Sequence, residues 1–241
     1  MEYNIHIGCS SFYNWTWKKV FYPEDIPSAK WFEYYCNYIK TFEINSTFYK
    51  FPTVRVMNNW YVKAPVDFIY SVKVPKEITH QKKLINCEEL LKDFYKVCDV
   101  GLKEKLGPIL FQFPPSYHYS AENLNLIIAQ FDTNYSNVVE FRHISWWIPE
   151  VSEALTKNNI SLCSVSHPQL PEIIFKDSPI VYIRLHGNEK MFYSSYSLSE
   201  LNQIKETIIS IKKLKSVYVY FNNTASSGGI LNAIELKKLL F

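Results

Sequence analysis

Glycine is scarce in this chain, with six residues in 241, and two of the six stand together at Gly228-Gly229. No GxGxxG follows the first strand-like segment, which counts against a dinucleotide-binding open sheet. Cysteine is also sparse. Cys9, Cys36, Cys87, Cys98 and Cys163 are scattered, odd in number and form no CxxC, a pattern that predicts reduced thiols in a cytoplasmic protein. No run of about 18 apolar residues occurs, so no membrane span is expected. The opening MEYNIHIGCSSF lacks the basic-then-apolar plan of a signal peptide. An excess of either charge is missing too. The net charge is +3, too small for a strongly basic nucleic-acid binder, although local patches stay open.

Hydrophobic residues make up 47% of the chain, enough for one large core or two small ones. No Gly/Ser/Pro-rich linker or charge run interrupts it, so a single domain over residues 1–241 is expected. Eight short segments read as strands: Asn4–Cys9, Thr41–Ser46, Ile69–Val74, Ile109–Phe113, Val138–Arg142, Ile160–Val165, Ile180–His186 and Val217–Asn222. Helical spacing recurs between most of them, over Ala29–Ile39, Glu88–Val100, Ala121–Phe131, Ser197–Leu214 and Leu231–Leu240. Strand and helix alternating about eight times predict an α/β fold of the (β/α)8 barrel type. Pro168, Pro171 and Pro179 crowd the link after the sixth strand, so its helix is expected to be short or missing. A doubly wound sheet is the structural alternative.

Side chains on a strand alternate between faces. In VVEFRHISWW, Glu140 and Arg142 oppose Val139 and Phe141. The same phase elsewhere carries Glu43 and Asn45, Ser71 and Lys73, Gln112, Arg184 and His186, and Tyr220 and Asn222. The apolar phase fits beneath outer helices. The polar phase then points inward near the strand carboxyl ends, where barrel enzymes keep their active sites. Three fixed cations (Lys73, Arg142, Arg184) meet two anions (Glu43, Glu140). Two pairs can form, and the remaining positive charge favours an anionic guest. The alternative is a self-satisfied salt-bridge network.

Glu43 and Glu140 are the candidate acid/base pair. Lys73 is a candidate Schiff-base nucleophile or electrostatic group, and His186 an acid/base or an orienting donor. Glu43, Glu140, His80 and His186 are also metal-ligand types, but no HExxH or tight His/Asp spacing occurs and nearby cations would repel a metal. No metal and no cofactor is assigned. NNTASSGGILN, Asn222 to Asn232, places Gly228 and Gly229 before a helix, a possible phosphate cradle or simply a flexible capped loop. SSFYNWTWKKVFYP, Ser10 to Pro23, joins aromatics to Lys18 and Lys19, suited to stacking bases or sugars or to forming a packed lid. Pro114-Pro115 reads as a rigid turn, and Tyr193–Tyr196 as a lid segment.

Together these segments resemble the YecE-like family, domain of unknown function 72. GCSSFYNWTWKKVFYP, FEINSTFYKFP, YSVKVPKEITH, GPILFQFPPSY, VEFRHISWW, VYIRLHG and VYVYFNNT look like its motifs, in order and over nearly the whole chain. The resemblance implies a TIM-type barrel and supplies no activity. The family's similarity to endonuclease IV-type and sugar-isomerase barrels suggests, by analogy, a phosphodiester or sugar ligand. The motifs carry Glu43, Asn45, Lys73, His80, Gln112, Glu140, Arg142, His143, Arg184, His186, Gly187, Asn222 and Asn223. Ser11-Phe12 stand where Gly-Trp is usual, Ile144 where Pro is usual, and no Asp stands near Ser166. The reading at this point is an enzyme with an anionic substrate. The alternatives are a binding module for a nucleic acid or metabolite, and a metal-dependent phosphodiesterase.

Overall fold

The computed structural model describes residues 4–211 and 216–241. The chain divides into two compact units. The first takes the residues through Glu43, then Ser164–Lys176 and Val181–Phe241; the second takes Ile44–Cys163 and Asp177–Ile180.

The first unit holds β1 (Ile5–Cys9), α1 (Trp31–Tyr38), β2 (Thr41–Ile44, save its last residue), β7 (Ser164–Ser166), β8 (Val181–Leu185), α7 (Leu198–Ile209), β9 (Val217–Phe221) and α8 (Gly228–Leu240). Its strands run in the order β7-β8-β9-β1-β2, every pair parallel. Segments such as VYVYF and VYIRL are rich in β-branched and aromatic residues, which suit buried parallel strands. α7 starts on a capping box: the Ser197 hydroxyl accepts from the Glu200 N–H, and the Glu200 carboxylate accepts from the Ser197 N–H. It stops at Ile209, short of the expected Leu214, and residues 212–214 of that expectation lie outside the described residues.

The second unit holds α2 (Ser46–Tyr49), α3 (Val54–Lys63), β3 (Ile69–Lys73), α4 (Glu88–Leu102), β4 (Leu106–Phe113), α5 (Ala121–Gln130), β5 (Asn137–Phe141), α6 (Pro149–Lys157) and β6 (Ile160–Leu162). Its order is β6-β5-β4-β3, with its pairings again parallel. Ser120 caps α5 by accepting from the Asn123 N–H. The Pro114 carbonyl accepts from the Tyr117 N–H, closing the turn expected at the diproline.

The parallel α/β class agrees with the sequence, but a strict (β/α)8 count does not. Nine strands occur among the described residues, because the expected strand Ile160–Val165 is broken at Cys163 into β6 and β7. The Cys163 N–H still pairs with the Val139 carbonyl, while β7 pairs with β8. The link from β7 to β8 has no helix, as its three prolines predict. Three helices escaped the periodicity reading, α2, α3 and α6. All are short, with only Thr47 buried in α2, Met57 in α3, and Val151 and Leu155 in α6. The clearest marks of α3 and α6 were the Thr53 N-cap and Pro149 at the helix start.

Candidate functional site

Two clusters of inward-facing polar side chains form, one in each unit. In the first unit, Glu43 and Arg184 are buried to 0% and 1% exposure. Arg184 Nε donates to Glu43 Oε2 at 2.9 Å, and Arg184 Nη2 to Oε1 at 2.7 Å. The Tyr182 hydroxyl adds a third donor to Oε2 at 2.7 Å. β1 and β9 lie between β2 and β8, which in a flat sheet would separate them by roughly 14 Å. This fork therefore requires the strands of the unit to curl, with the polar phase on the concave side. Thr41 and Tyr220 share that side, their hydroxyls 2.5 Å apart.

The fork leaves Glu43 poorly suited to proton transfer. Both of its oxygens are already accepting from Arg184 and Tyr182. Tyr182 was missed at the sequence level, although it stands two residues before Arg184 on the same phase; attention to charged groups alone passed over it.

The other first-unit candidates serve neighbouring contacts. His186 is fully buried, with ring centroids 6.0 Å from His167 and 6.1 Å from Phe192. The Asn222 N–H donates to the Leu185 carbonyl, and the Asn223 side chain donates to the Ser194 carbonyl. The loop before α8 is packed, not flexible. The Asn14 side chain donates to the Thr224 carbonyl and the Trp17 indole to the Ser226 carbonyl. A Cβ on Gly228 would lie 2.2 Å from Ser195 Oγ, and one on Gly229 would lie 2.9 Å from the Asn223 carbonyl oxygen. Close packing alone accounts for both glycines. Trp17 and Tyr22 of the first loop are buried, while Trp15 is 60% and Tyr13 52% exposed, and Lys18 lies 5.8 Å over the Trp15 ring. In the expected lid segment, the Tyr196 backbone is held by Asn232, so that end is anchored.

The second cluster lies at the carboxyl ends of β3, β4 and β5. Register places Lys73 beside Leu110, and Gln112 beside Glu140, so Lys73, Gln112 and Glu140 share a face. Lys73 Nζ donates to Gln112 Oε1 at 2.6 Å and sits 4.0 Å over the Phe48 ring. The Thr47 hydroxyl donates to the Lys73 carbonyl at 2.5 Å. Thr47 and Phe48 lie in the short helix α2, where no period marks them. Asn45, half-buried, immediately precedes that helix. Arg142 Nε donates to Glu140 Oε1, and Glu140 is fully buried. His143 Nδ1 caps the next turn, accepting from the Ser145 N–H, and its ring stacks on His118 at 3.9 Å.

His80 sits in a short π-helical turn, Glu77–Gln81, after β3. Lys83, Leu84 and Asn86 just beyond it have φ of 50°, 67° and 53°, a left-handed backbone that costs energy in non-glycine residues. Burial lowers the His80 pKa to about 4, with Lys73, Arg142, Lys76 and Lys83 lowering it further. The ring is therefore neutral at pH 7, and its tautomer follows from its partners. Lys73 only donates, so Gln112 turns Oε1 toward it and Nε2 toward His80. Gln112 Nε2 is 3.5 Å from His80 Nε2, and Thr79 Oγ1 is 2.9 Å from His80 Nδ1. Nε2 thus carries the lone pair, held only by a long contact, and Nδ1–H donates to Thr79. Substituting Lys73 by methionine is expected to raise the His80 pKa, read by NMR titration of the ring protons. Because the folded value is depressed, His80 favours unfolding as pH falls from about 6.5 toward 4. That loss should shrink in the variant. An unmoved titration would show that Lys73 does not contribute to the depression.

All five cysteines are buried and free. Among the described residues, no group of three or more His, Cys, Asp or Glu is placed to hold a metal ion, and no helix is long and apolar enough to cross a membrane.

Comparison with known proteins adds the kinship. The family model described as "Protein of unknown function DUF72" matches residues 6–241. A DUF72 family protein of Thermotoga maritima superposes with a TM-score of 0.88 at 27% identity, covering 98% of each chain. One from Enterococcus faecalis gives 0.84 at 21% identity, covering 98% of this chain and 95% of that one. The UPF0759 protein YunF of Bacillus subtilis is 25% identical over 98% of this chain and 94% of its own length. A family match spanning nearly the whole sequence, with the same fold in solved relatives, settles the kinship: this chain belongs to the DUF72 family.

Proposed function

We propose that the protein is an enzyme that binds a small anionic substrate, phosphorylated or a sugar acid, at the carboxyl ends of β3, β4 and β5. The observation that carries this reading is the Lys73–Gln112–His80 chain, which sets a cation beside a ring whose lone pair is held only by a long contact. Lys73 and Arg142 supply positive charge at that end of the strands, and Gln112 orients Lys73. Glu140 holds Arg142 through its Nε. An anion seated among the cations cancels the field that lowers His80. Its pKa then rises from about 4, burial still holding it below 6.5, and the ring becomes a stronger proton acceptor. Substrate binding would thus switch on the base. Glu43, fully engaged by Arg184 and Tyr182, belongs to the scaffold in this reading, and acid/base work falls to His80 and Glu140.

The test is an NMR titration of His80 with inorganic phosphate, ionic strength matched by chloride. Phosphate should raise the His80 pKa saturably, and Lys73→Ala should weaken phosphate binding by roughly tenfold or more, as loss of a charge-assisted contact predicts. A His80 pKa blind to phosphate would sink the proposal. Turnover on a panel of sugar phosphates and sugar acids, lost in a folded His80→Gln variant, would separate catalysis from binding alone.

One observation favours a second reading, a module that stacks single-stranded nucleic acid: the exposed Tyr13, Trp15 and Lys18 patch. That reading predicts strongly salt-dependent binding lost in Trp15→Ala and indifferent to His80→Gln.

A further inference from the structure

The link from β7 to β8 has no helix to cover the strands, and a cavity of about 250 Å³ opens there within the first unit. Register pairs Ser164 with Ile183 and Ser166 with Leu185, so these four share one strand face, opposite to Tyr182 and Arg184. All four line the cavity, with Ile204 of α7 and Ile173 of the coil. Ile173 is 47% exposed, an apolar side chain in a lining that mixes apolar and polar groups. A volume just under the roughly 300–1,000 Å³ of drug-sized ligand sites calls for a small guest.

Glu172 and Glu200 line this hollow, and among the described residues no lysine, arginine or histidine does. Glu200 is fixed rather than free to swing. Its Oε2 accepts from the Ser197 hydroxyl and N–H at 2.7 Å each, and its Oε1 from the Asn188 side chain. The Ser197 hydroxyl bond, with help from the Ser197 N–H and Asn188, holds the carboxyl below its usual range, so it stays ionised. Tyr196 shares the lining. Burial raises its hydroxyl to about 12, with Glu172 and Glu200 adding to the rise. Ser166 lies beside that hydroxyl, yet its buried Oγ makes no hydrogen bond of ordinary geometry.

We propose that this cavity binds a small monocationic amine, its ammonium between Glu172 and Glu200 and its compact branched or aromatic body against Ile183, Leu185 and Ile204. The apolar part of the lining supplies affinity for the body, and the two carboxylates select the charge. The anion site proposed above takes the opposite charge and uses none of these residues, so the two stand or fall separately.

Calorimetric titration of the full chain with 3-methylbutylamine and benzylamine tests this, with 3-methylbutan-1-ol as the uncharged match. Both amines should bind, and the alcohol should bind roughly tenfold more weakly or worse, as loss of a charge-assisted contact predicts. Glu172→Gln, at an exposed position, should abolish the preference for amine over alcohol while leaving the circular dichroism spectrum and thermal midpoint in place. Ile204→Phe, which fills the hollow, should weaken all three ligands. Failure of both amines to bind the folded wild type would overturn the proposal. Equal binding of amine and alcohol would do the same, as would an unchanged preference in Glu172→Gln.

Discussion

Glu43→Ala is expected to destabilise the protein by about 3–5 kcal/mol, the usual loss when one partner of a buried ion pair is removed. The substitution removes both Glu43 acceptors from the Arg184 guanidinium, which is 1% exposed, and takes this acceptor from the Tyr182 hydroxyl as well. The pair itself contributes much less than that loss, because desolvating both ions offsets most of their attraction. The double variant Glu43→Leu with Arg184→Met should therefore recover most of the stability, and urea unfolding of the two singles and the double gives the coupling directly. A Glu43→Ala loss under about 1 kcal/mol would mean that water reaches Arg184, contrary to its burial.

Trp17→Ala carries the second large effect, a loss of about 3–5 kcal/mol typical of truncating a buried tryptophan. Trp17 is fully buried, stacks near Tyr22 at 6.1 Å and meets Phe21 edge-on at the same distance. Its indole N–H also donates at 2.8 Å to the Ser226 carbonyl, clasping the first loop to the loop before α8. Trp17→Phe keeps much of the ring packing and loses the hydrogen bond, so it should cost only about 1–3 kcal/mol, the bond term being set by the carbonyl left unpaired. Thermal unfolding of both variants orders them. Hydrogen exchange should show residues 224–228 opening in Trp17→Phe while the β9 core stays protected. Uniform protection there would show that the clasp does not hold the loop.

The aromatic loop shows what pattern reading can and cannot separate. Trp15 and Trp17 are two residues apart in NWTW and look alike in sequence, yet one is 60% exposed and the other fully buried. A short 3-10 turn over Trp15–Trp17 turns one ring out and the other in, and no long period announces so brief an element. The glycine pair was similarly ambiguous. Gly228-Gly229 fits a phosphate cradle on composition, while its neighbours Ser195 and Asn223 give packing reasons that appear only when distant segments meet.

Alternation did place the polar groups. Glu43, Lys73, Glu140 and Arg184 are all buried, and within each unit the register sets their faces as a period of two requires. That rule is local, since successive strand side chains must point to opposite sides, so the sequence alone determined which residues turn inward and that the class is parallel α/β. It could not determine which inward groups meet. Glu43 met Arg184 across three strand spacings, and Lys73 met Gln112 and His80, because strand order and curl are set by packing among residues far apart in the chain. The break at Cys163 and the uncovered cavity beneath β7 and β8 were likewise decided in three dimensions, where β6 pairs with β5 and β7 with β8.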